Sequence, residues 1–162
     1  MEIRRLTLAD KAEIESIAAL AAKIWRERYD PIVGREQNDY MIKKFQSAKA
    51  ITEQLENGYR YYFLFNEAPV GFFAFYPRND AMYLSKLYLV KEERGKGYSK
   101  KMIEFVKERA SEEGLSAIEL NVNKYNESVL VYEKLGFIRI RSEKIDIGKG
   151  FYMDDYVYRL EF

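Results

Sequence analysis

The sequence predicts a mixed α+β fold in which helices flank a central, twisted and mostly antiparallel sheet of about seven strands. Short apolar or aromatic runs bounded by turn residues alternate with stretches whose apolar residues recur three and four positions apart, the patterns of strands and amphipathic helices. Apolar residues make up 48% of the 162 residues and aromatic residues 15%, so one substantial core can form. No repeat or low-complexity linker interrupts the chain, and we expect a single domain over residues 1–162.

The amino-terminal third predicts one strand followed by helices. Thr7 or Asp10 can cap the first helix, because a short oxygen-bearing side chain satisfies first-turn N–H groups. Apolar residues from Ile14 to Trp25 mark the buried face of that helix. The elements expected here are a strand over 1–6, a helix interrupted at Asp30-Pro31 and Gly34, a helix over 36–45 with Tyr40, Met41 and Phe45 on its face, and a helical segment ending at Asn57-Gly58.

The rest of the chain is dominated by strand patterns. Aromatic-rich runs on both sides of the "NEAP" turn predict an antiparallel hairpin, and the "RND" turn leads into a third strand. The elements expected here are strands over 59–65, 70–78 and 82–90, a helix ending at Glu113-Gly114, a strand over 117–122, a helix over 127–135, and strands over 137–147 and 151–162.

Two absent residue types restrict the chemistry. The chain contains no cysteine, which excludes a disulfide framework, a thiolate nucleophile and a cysteine metal site. It contains no histidine, so acid–base chemistry falls to Asp, Glu, Tyr, Lys, the backbone or water. Lysine and arginine number 27 against 26 acidic residues, and no apolar run approaches the roughly 20 residues of a membrane span. We therefore expect a soluble cytoplasmic protein with no metal, nucleic-acid or membrane partner.

A basic loop with two glycines stands between the strand over 82–90 and the helix that follows. It reads Arg94-Gly95-Lys96-Gly97-Tyr98-Ser99. A loop that turns into a helix start directs backbone N–H groups outward at the positive end of the helix dipole, and glycines let an anion approach closely. We expect this loop to hold a cofactor phosphate or pyrophosphate, with an ordinary strand-to-helix turn as the alternative. Its glycine spacing fits neither the mononucleotide motif G-x-x-x-x-G-K-[ST] nor the dinucleotide motif G-x-G-x-x-G.

Together with the order of elements, two motifs resemble those of the GNAT superfamily of N-acetyltransferases, which transfer acetyl from acetyl-CoA to amines. The first motif, [Q/R]-x-x-G-x-[G/A], is matched by Arg94, Gly97 and Ser99, with serine in place of the usual Gly or Ala. The second is carried by the segment "NESVLVYEKLGF", whose matching residues are Asn126, Ser128, Tyr132, Gly136 and Phe137. The spacing from Asn126 to Ser128 is one residue shorter than usual, whereas the spacing after Tyr132 fits.

The resemblance implies acetyl-CoA as the cofactor and a sheet that splays in its middle, between the strands over 82–90 and 117–122. Backbone groups of Leu87 and Leu89 would bind the pantetheine arm as an added strand. The loop N–H groups would hold the pyrophosphate, while Lys96 and Lys100 screen the remaining charge. The residues implied to contact the cofactor are Leu87, Tyr88, Leu89, Arg94, Gly95, Lys96, Gly97, Tyr98, Ser99, Lys100, Asn126, Ser128 and Tyr132.

The resemblance also implies direct transfer of the acetyl group to a primary amine, with a strand amide near Leu87 as the oxyanion donor. Tyr132 corresponds to the acid of the family, a phenol that protonates the departing sulfur. The base is left open. Glu119, on the strand over 117–122, is one candidate catalytic residue, and a water chain serving an amine whose pKa is lowered by desolvation is the other.

Several residues are candidates for binding the acceptor. Adjacent carboxylates among aromatic residues in "YMDDY" would attract a cationic amine, and only one of the two can point inward because alternate strand residues face opposite sides. The candidate substrate-binding residues are Tyr29, Tyr40, Tyr83, Asp154 and Asp155. A small amine, a polyamine or a peptide amine all fit, as do a monomer and a homodimer. A module that senses acyl-CoA without turnover and a nucleotide-binding regulator are the alternative functions.

Overall fold

Seven strands form one sheet in the computed structural model of the chain, which describes residues 1–162. The strands are β1 (Glu2–Leu6), β2 (Arg60–Asn66), β3 (Ala68–Arg78), β4 (Ala81–Leu89), β5 (Ala117–Asn123), β6 (Ile138–Gly148) and β7 (Phe151–Glu161). The helices are α1 (Lys11–Val33), α2 (Arg35–Phe45), α3 (Ala48–Glu56), α4 (Tyr98–Glu112) and α5 (Ser128–Lys134). The order across the sheet is β1-β2-β3-β4-β5-β7-β6, and the predicted mixed fold is confirmed.

Contacts divide the chain into two compact units. The first unit comprises Met1–Tyr76 with Lys86–Ser99, and the second comprises Pro77–Ser85 with Lys100–Phe162. Strand β4 therefore contributes residues 81–85 to the second unit and residues 86–89 to the first. The expectation of one acetyltransferase domain over the whole chain stays a prediction.

The first unit has an aromatic core built on β1, β2 and β3, and β2 pairs antiparallel with both of its neighbours. Tyr61, Phe72, Phe73 and Phe75 are almost completely buried. Because neighbouring strand residues point to opposite faces, the burial of both Phe72 and Phe73 shows that both faces of β3 are covered. This explains why β3 reads as an unbroken apolar run and not as an alternation of apolar and polar residues.

Helix α1 is longer than the sequence predicts, because it continues through Pro31. The predicted interruption at Asp30-Pro31 is wrong. The fixed φ angle of proline is compatible with a helix, and its missing N–H removes only one helical hydrogen bond near the carboxyl end. The helix ends instead at Gly34, whose φ of 84° lies in the left-handed region and whose N–H donates to the Asp30 carbonyl at 3.1 Å.

Helix α2 buries a polar side chain where the sequence predicts an apolar face. Met41 is the one residue of that predicted face that is fully buried, and Asn38 is buried beside it. The side-chain amide of Asn38 donates to the Trp25 backbone oxygen at 2.9 Å and to Asp30 Oδ1 at 2.7 Å. These bonds join α2 to α1 and satisfy N–H groups that are costly to bury alone.

The second unit is built on β5, with β7 inserted between β5 and β6. The even-numbered β5 residues from Ile118 to Val122 are buried as predicted, and the odd-numbered residues from Glu119 to Asn123 are half-buried on the opposite face. Strand β4 pairs in parallel with β5 at two positions within this unit, where Met82 lies opposite Ile118 and Tyr83 lies opposite Glu119. So short a ladder agrees with the splay that the resemblance implies.

The other element boundaries lie within two residues of the predicted ones. Helix α3 ends before Asn57-Gly58, α4 before Glu113-Gly114, and α5 shortly before Gly136. A short 3-10 helix over Lys91–Glu93, after β4, was not predicted. None of the helices combines the length and the apolar character needed to cross a bilayer.

A substitution at Gly71 on β3 can test how closely β3 approaches residues 88 and 89 of β4. A methyl group added there would lie 2.8 Å from the Tyr88 backbone oxygen and 2.7 Å from Leu89 Cδ2, both within the first unit. We expect Gly71→Ala to lower the free energy of unfolding by about 1–3 kcal/mol, because a backbone oxygen cannot move aside as a side chain does. Urea unfolding measures the change, and Gly71→Val should lower the value further. An unchanged free energy in both variants would contradict the close approach.

Candidate functional site

The glycine loop of the first unit has the geometry that an anion-binding turn requires. After the 3-10 helix, the chain passes through residues 94–97 and begins α4 at Tyr98. Gly95 and Gly97 have φ angles of 77° and 85°, in the left-handed region where side chains are strained. A Cβ atom built on either glycine meets no atom within 4 Å, so the surface of the loop is open on that side. The predicted strand-loop-helix arrangement is confirmed.

The start of α4 adds an electrostatic reason for an anion to bind at this loop. The first backbone N–H groups of a helix have no partner within the helix, and they carry the positive end of its dipole. Helix α4 has 15 residues, long enough for this dipole to develop. Tyr98 and Ser99 in its first turn are half-buried, whereas Lys100 is exposed.

Arg94 fixes the loop to the end of β4 and lies near a second guanidinium group. Its Nε donates to the Leu89 backbone oxygen at 3.2 Å. Partial burial and the nearby positive charge of Arg28 on α1 lower the pKa of Arg94 from its usual range. Two cations that disfavour each other are stabilised by an anion placed near both. Sequence reasoning missed Arg28, because α1 carries no motif that marks it.

The other predicted cofactor residues of the first unit have mixed surroundings. Lys96 Nζ lies 3.3 Å from Glu93 Oε2, so an ion pair already engages its charge. The Tyr88 ring packs edge-on against Trp25, with ring centroids 5.8 Å apart, and also contacts Phe72. The half-buried Leu87 stands between these strand residues. The backbone carbonyl of Leu89 is the acceptor for Arg94, as described above.

The two tyrosines predicted to bind the acceptor from the helices differ in exposure. Tyr29 is buried, and its ring lies 4.7 Å from the Trp25 ring, which makes it part of the α1 core. Tyr40 on α2 is half-buried, and Lys44 Nζ lies 5.7 Å from its ring centroid. Of these two side chains, only Tyr40 presents an exposed surface of appreciable size.

In the second unit, the residues of the second motif lie in the turn into α5, on α5 itself and directly after it. Asn126 is buried, and its Oδ1 accepts a hydrogen bond from the Ser128 backbone N–H at 2.9 Å at the start of α5. Tyr132 is 8% exposed and packs edge-on against Phe137, with centroids 5.6 Å apart. The short spacing in this motif therefore places the Asn126 side chain at the turn into α5, where it holds a local backbone group.

Glu119 has a strong partner of its own. Its carboxylate accepts a hydrogen bond from Arg159 Nη1, and the same guanidinium pairs with both carboxylate oxygens of Asp80 at 3.1 and 3.2 Å. The hydrogen bonds that Arg159 donates to these carboxylates raise its pKa above the usual range. The ion pair thus directs the Glu119 carboxylate toward Arg159, which is a structural arrangement and not that of a base awaiting a substrate.

A polar network on the same face of the second unit links four strands, and sequence reasoning identified only part of it. The Tyr83 hydroxyl donates to Asn121 Oδ1 at 2.9 Å. The Asn121 amide donates to Glu143 Oε2 at 3.1 Å and, more weakly, to Asp155 Oδ2 at 3.4 Å. The Arg78 guanidinium lies 3.6 Å from the centroid of the Tyr83 ring. Glu143 was missed, because only strand register brings it to Asp155.

The two adjacent aspartates of β7 have opposite environments. Asp154 is half-exposed and pairs with Lys124 Nζ at 3.0 Å. Asp155 is 1% exposed, and its Oδ1 has no hydrogen-bond partner. Burial raises the pKa of Asp155 to about 6, the negative charges of Glu143 and Asp154 add to the rise, and the Asn121 hydrogen bond opposes it. Asp155 is therefore a buried carboxyl group that titrates close to neutral pH.

Glu143, the neighbour of Asp155, is held in the ionised form. Its Oε1 accepts a hydrogen bond from Arg141 Nε at 2.8 Å, and this bond and the one from Asn121 lower the pKa of Glu143. The two carboxyl groups that share the Asn121 amide thus have pKa values pushed in opposite directions. A pair of this kind is typical of sites that handle protons. No group of three carboxylates in the chain is arranged to hold a metal ion.

The raised pKa of Asp155 predicts a pH-dependent effect of Asp155→Asn on stability. A carboxyl whose folded-state pKa exceeds its unfolded value of 3.8 favours folding at low pH and loses that contribution as the pH rises through about 6. Asparagine cannot ionise, so the variant avoids this loss. We therefore expect the free energy of unfolding of Asp155→Asn, measured relative to that of the wild type, to rise by about 3 kcal/mol between pH values of about 3 and 7.5.

Urea unfolding across that pH range measures the difference. Asp146→Asn is the matched control, because it replaces an exposed carboxylate of the same hairpin whose Oδ1 accepts from the Gly148 N–H, a bond that asparagine can keep. We expect the control to show no such trend. A difference between Asp155→Asn and wild type that stays constant with pH would show that Asp155 does not titrate in this range.

Comparisons with known proteins agree with the fold. The family model described as the acetyltransferase (GNAT) domain matches residues 29–153. No curated protein sequence matches the chain. The solved structure of PaiA N-acetyltransferase from Thermoplasma acidophilum, in complex with coenzyme A, has a TM-score of 0.81 at 20% identity and covers 99% of this chain and 98% of its own.

Two further solved structures extend the likeness. Aminoglycoside 6'-acetyltransferase type Ii has a TM-score of 0.73 at 14% identity, with 99% of this chain and 97% of its own covered. The yncA protein from Salmonella typhimurium, solved with its cofactor acetyl-CoA, has a TM-score of 0.64 at 17% identity, with 99% and 92% covered. At these identities the structures show a shared fold. Because the domain model matches most of the sequence, the chain belongs to the GNAT family of acetyltransferases.

Proposed function

We propose that this protein is an N-acetyltransferase that moves the acetyl group of acetyl-CoA to a primary amine. The observation that carries the proposal is the loop of residues 94–97, whose two left-handed glycines lead directly into α4. This geometry suits a pyrophosphate, which bears charge on several oxygens and must approach backbone N–H groups closely. Family membership makes coenzyme A the pyrophosphate compound that fits it best.

The residues in and beside the glycine loop have distinct roles in the proposal. The N–H groups of Gly95 to Ser99 hold the pyrophosphate, and Arg94 keeps the loop in place through its bond to the Leu89 carbonyl. Arg28 adds positive charge near Arg94. Lys100 is exposed and can meet a phosphate directly, whereas Lys96 must first leave Glu93. Backbone groups of residues 87–89 bind the pantetheine arm as an added strand.

Bound acetyl-CoA supplies an acetyl group activated as a thioester. In the second unit, Tyr132 donates its phenolic proton to the departing sulfur, and the Asn126 turn positions the start of α5, on which Tyr132 lies. The chain has no cysteine to carry an acyl group, and we propose that the amine attacks directly. The Leu87 amide is the proposed donor to the oxygen that gains negative charge.

The acceptor side of the proposal keeps Tyr83 and Asp155 and revises other expectations. Tyr29 is buried in the α1 core, and the Asp154 charge is engaged by Lys124, so neither is retained as a principal contact. Glu119 is not retained as the base, because its carboxylate is held by Arg159. Tyr40 remains a candidate contact for a substrate that reaches α2.

Two measurements test the proposed function. We expect titration calorimetry to show binding of acetyl-CoA and of coenzyme A, and no comparable binding of ATP or NAD. Thiol release from acetyl-CoA should then become amine-dependent within a panel of polyamines, amino acids, aminoglycosides and peptide N-termini. Binding of acetyl-CoA without thiol release for every amine would identify an acyl-CoA sensor and refute the enzyme. Binding of ATP alone would refute both.

The role of Tyr132 makes a separate prediction. We expect Tyr132→Phe to lower kcat by about 100-fold or more while the Kd for acetyl-CoA changes less than about threefold, because the variant loses only the proton donor. Stopped assays of thiol release and calorimetry give the two values.

Tyr125→Phe is the matched control for this experiment. Tyr125 lies shortly before α5 and is 75% exposed, so removing its hydroxyl should leave both values at the wild-type level. Wild-type kcat in Tyr132→Phe would remove the acid assignment. An equal loss in kcat and in acetyl-CoA affinity would indicate a packing role instead.

A further inference from the structure

Acetylation of an amine at neutral pH begins with the loss of a proton, because the ammonium form has no free electron pair. We propose that Asp155 receives the ammonium group of a cationic acceptor and removes one of its protons, with Asn121 and Glu143 holding Asp155 in place. This inference rests on the proposed function and names the base that the motifs of the family leave undefined in this chain. It also commits the acceptor to a class, the aliphatic amines that are cationic in solution.

The geometry that carries the inference is an incomplete hydrogen-bond set on a buried acid. Asp155 is 1% exposed, and Oδ2 has only the long contact of 3.4 Å from the Asn121 amide. Oδ1 is buried without any partner. Buried carboxylate oxygens are normally hydrogen-bonded, since leaving one unpaired costs about 1–3 kcal/mol or more for a charged group. An ammonium group, with its N–H donors, completes this set.

The charges around Asp155 also leave it without a paired cation. The acidic neighbours are Glu143 on β6, directly opposite in register, and Asp154 beside it on β7. The nearby cations are directed elsewhere: Arg141 donates to Glu143, and Lys124 pairs with Asp154. The other groups of the network are Asn121 on β5, which is neutral, Tyr83 on β4, whose hydroxyl binds Asn121, and Arg78 on the Tyr83 ring. No cation of the chain donates a hydrogen bond to Asp155 itself, although the charge of Lys124, paired with Asp154, slightly opposes the rise in the Asp155 pKa.

The titration of Asp155 suits this role. A base works best when its pKa lies near the working pH, and the pKa of Asp155 is raised to about 6, so the carboxylate is largely ionised at neutral pH yet accepts a proton readily. In the step proposed, an N–H bond of the ammonium breaks, an O–H bond forms on Asp155, and the electron pair left on nitrogen becomes available for bonding to the acyl carbon. Asp155 later releases this proton to water. The second proton that nitrogen loses on forming the amide replaces the one that Tyr132 gave to sulfur.

The Asn121 amide and Glu143 act on Asp155 rather than on the acceptor. The Asn121 hydrogen bond stabilises the carboxylate form of Asp155, whereas the negative charge of Glu143 stabilises its protonated form. Asn121 also ties Tyr83 to the same network through its Oδ1. Both are therefore positioning residues, and changing them should move the pH dependence of the reaction without abolishing it.

The first test measures binding and needs no turnover. The probes are 1,4-diaminobutane, which carries two ammonium groups, and 1,4-butanediol, its uncharged analogue, titrated calorimetrically into the wild-type protein at a pH of about 7.5. We expect the diamine to bind and the diol not to, and Asp155→Asn to weaken diamine binding at least tenfold while the Kd for acetyl-CoA is unchanged. Equal diamine binding by wild type and Asp155→Asn, or no diamine binding by the wild type, would overturn the proposal.

The second test follows thiol release with 1,4-diaminobutane as a function of pH. For the wild type, log kcat/KM should fall below a pH of about 6 with unit slope, because Asp155 must be ionised to take the proton. Asp155→Asn should lower kcat/KM by about 100-fold or more and remove this acid limb. Glu143→Gln should shift the limb to lower pH, because a negative neighbour is removed, and Asp146→Asn should match the wild type. An acid limb that persists in Asp155→Asn would refute the assignment.

The two tests separate this inference from the proposed function. If acetyl-CoA does not bind or no thiol is released, the proposed function fails, and the binding test still decides whether Asp155 recognises an ammonium group. Thiol release could instead be amine-dependent while neither the acid limb of the kcat/KM profile nor diamine binding depends on Asp155. In that case the proposed function stands and the base lies elsewhere. A free energy of unfolding for Asp155→Asn at neutral pH that equals or exceeds the wild-type value would exclude misfolding as the cause of lost activity.

Discussion

Strand β4 is the element on which the rest of the structure depends, because its two ends have different partners. Its first part pairs in parallel with β5, where Met82 lies opposite Ile118 and Tyr83 lies opposite Glu119. Its last residues belong to the first unit, where Leu89 accepts the Arg94 hydrogen bond that fixes the glycine loop. The strand thus carries Tyr83 of the polar network in its first part, and its other end leads into the glycine loop. A strand fully paired along both edges has no backbone groups left for a ligand.

The second constraint is the energetic cost of a buried acid. Asp155 lowers the stability of the folded chain at neutral pH, and neither hydrogen bonds nor a cation offset the cost fully. Replacing such a group with a neutral one commonly stabilises a protein at the expense of its activity. Asn38 is equally buried and its oxygen also lacks a hydrogen-bond partner, but the side chain is neutral and its amide N–H groups are bonded to Trp25 and Asp30. Charge therefore separates the two buried sites, because an ionised group costs more to bury than a neutral amide.

Local patterns were enough to predict most elements of the fold and the glycine turn before α4. The β5 alternation and the glycine turn are set by neighbours in sequence, and both appear as predicted. What depends on distant contacts was not predictable in the same way. Pro31 is tolerated within α1 because it lies near the end of the helix, and Arg28 approaches Arg94 only after folding. The residues around Asp155 come from strands far apart in sequence, and the insertion of β7 between β5 and β6 brings them together.

The adjacent aspartates of β7 show how register decides chemistry. The sequence predicts that one of the two points inward, but it does not predict which one. Alternation places neighbouring strand residues on opposite faces of a sheet without indicating which face is buried. Register places Asp155 opposite Asn123 on one side and Glu143 on the other, while Lys124 pairs with its neighbour Asp154. Two identical side chains thereby acquire different proton affinities, one in a solvated ion pair and the other in a buried network. A shift of one residue in this ladder would exchange the two environments, so the acid–base character proposed for this site resides in the pairing of β5, β6 and β7 as much as in Asp155 itself.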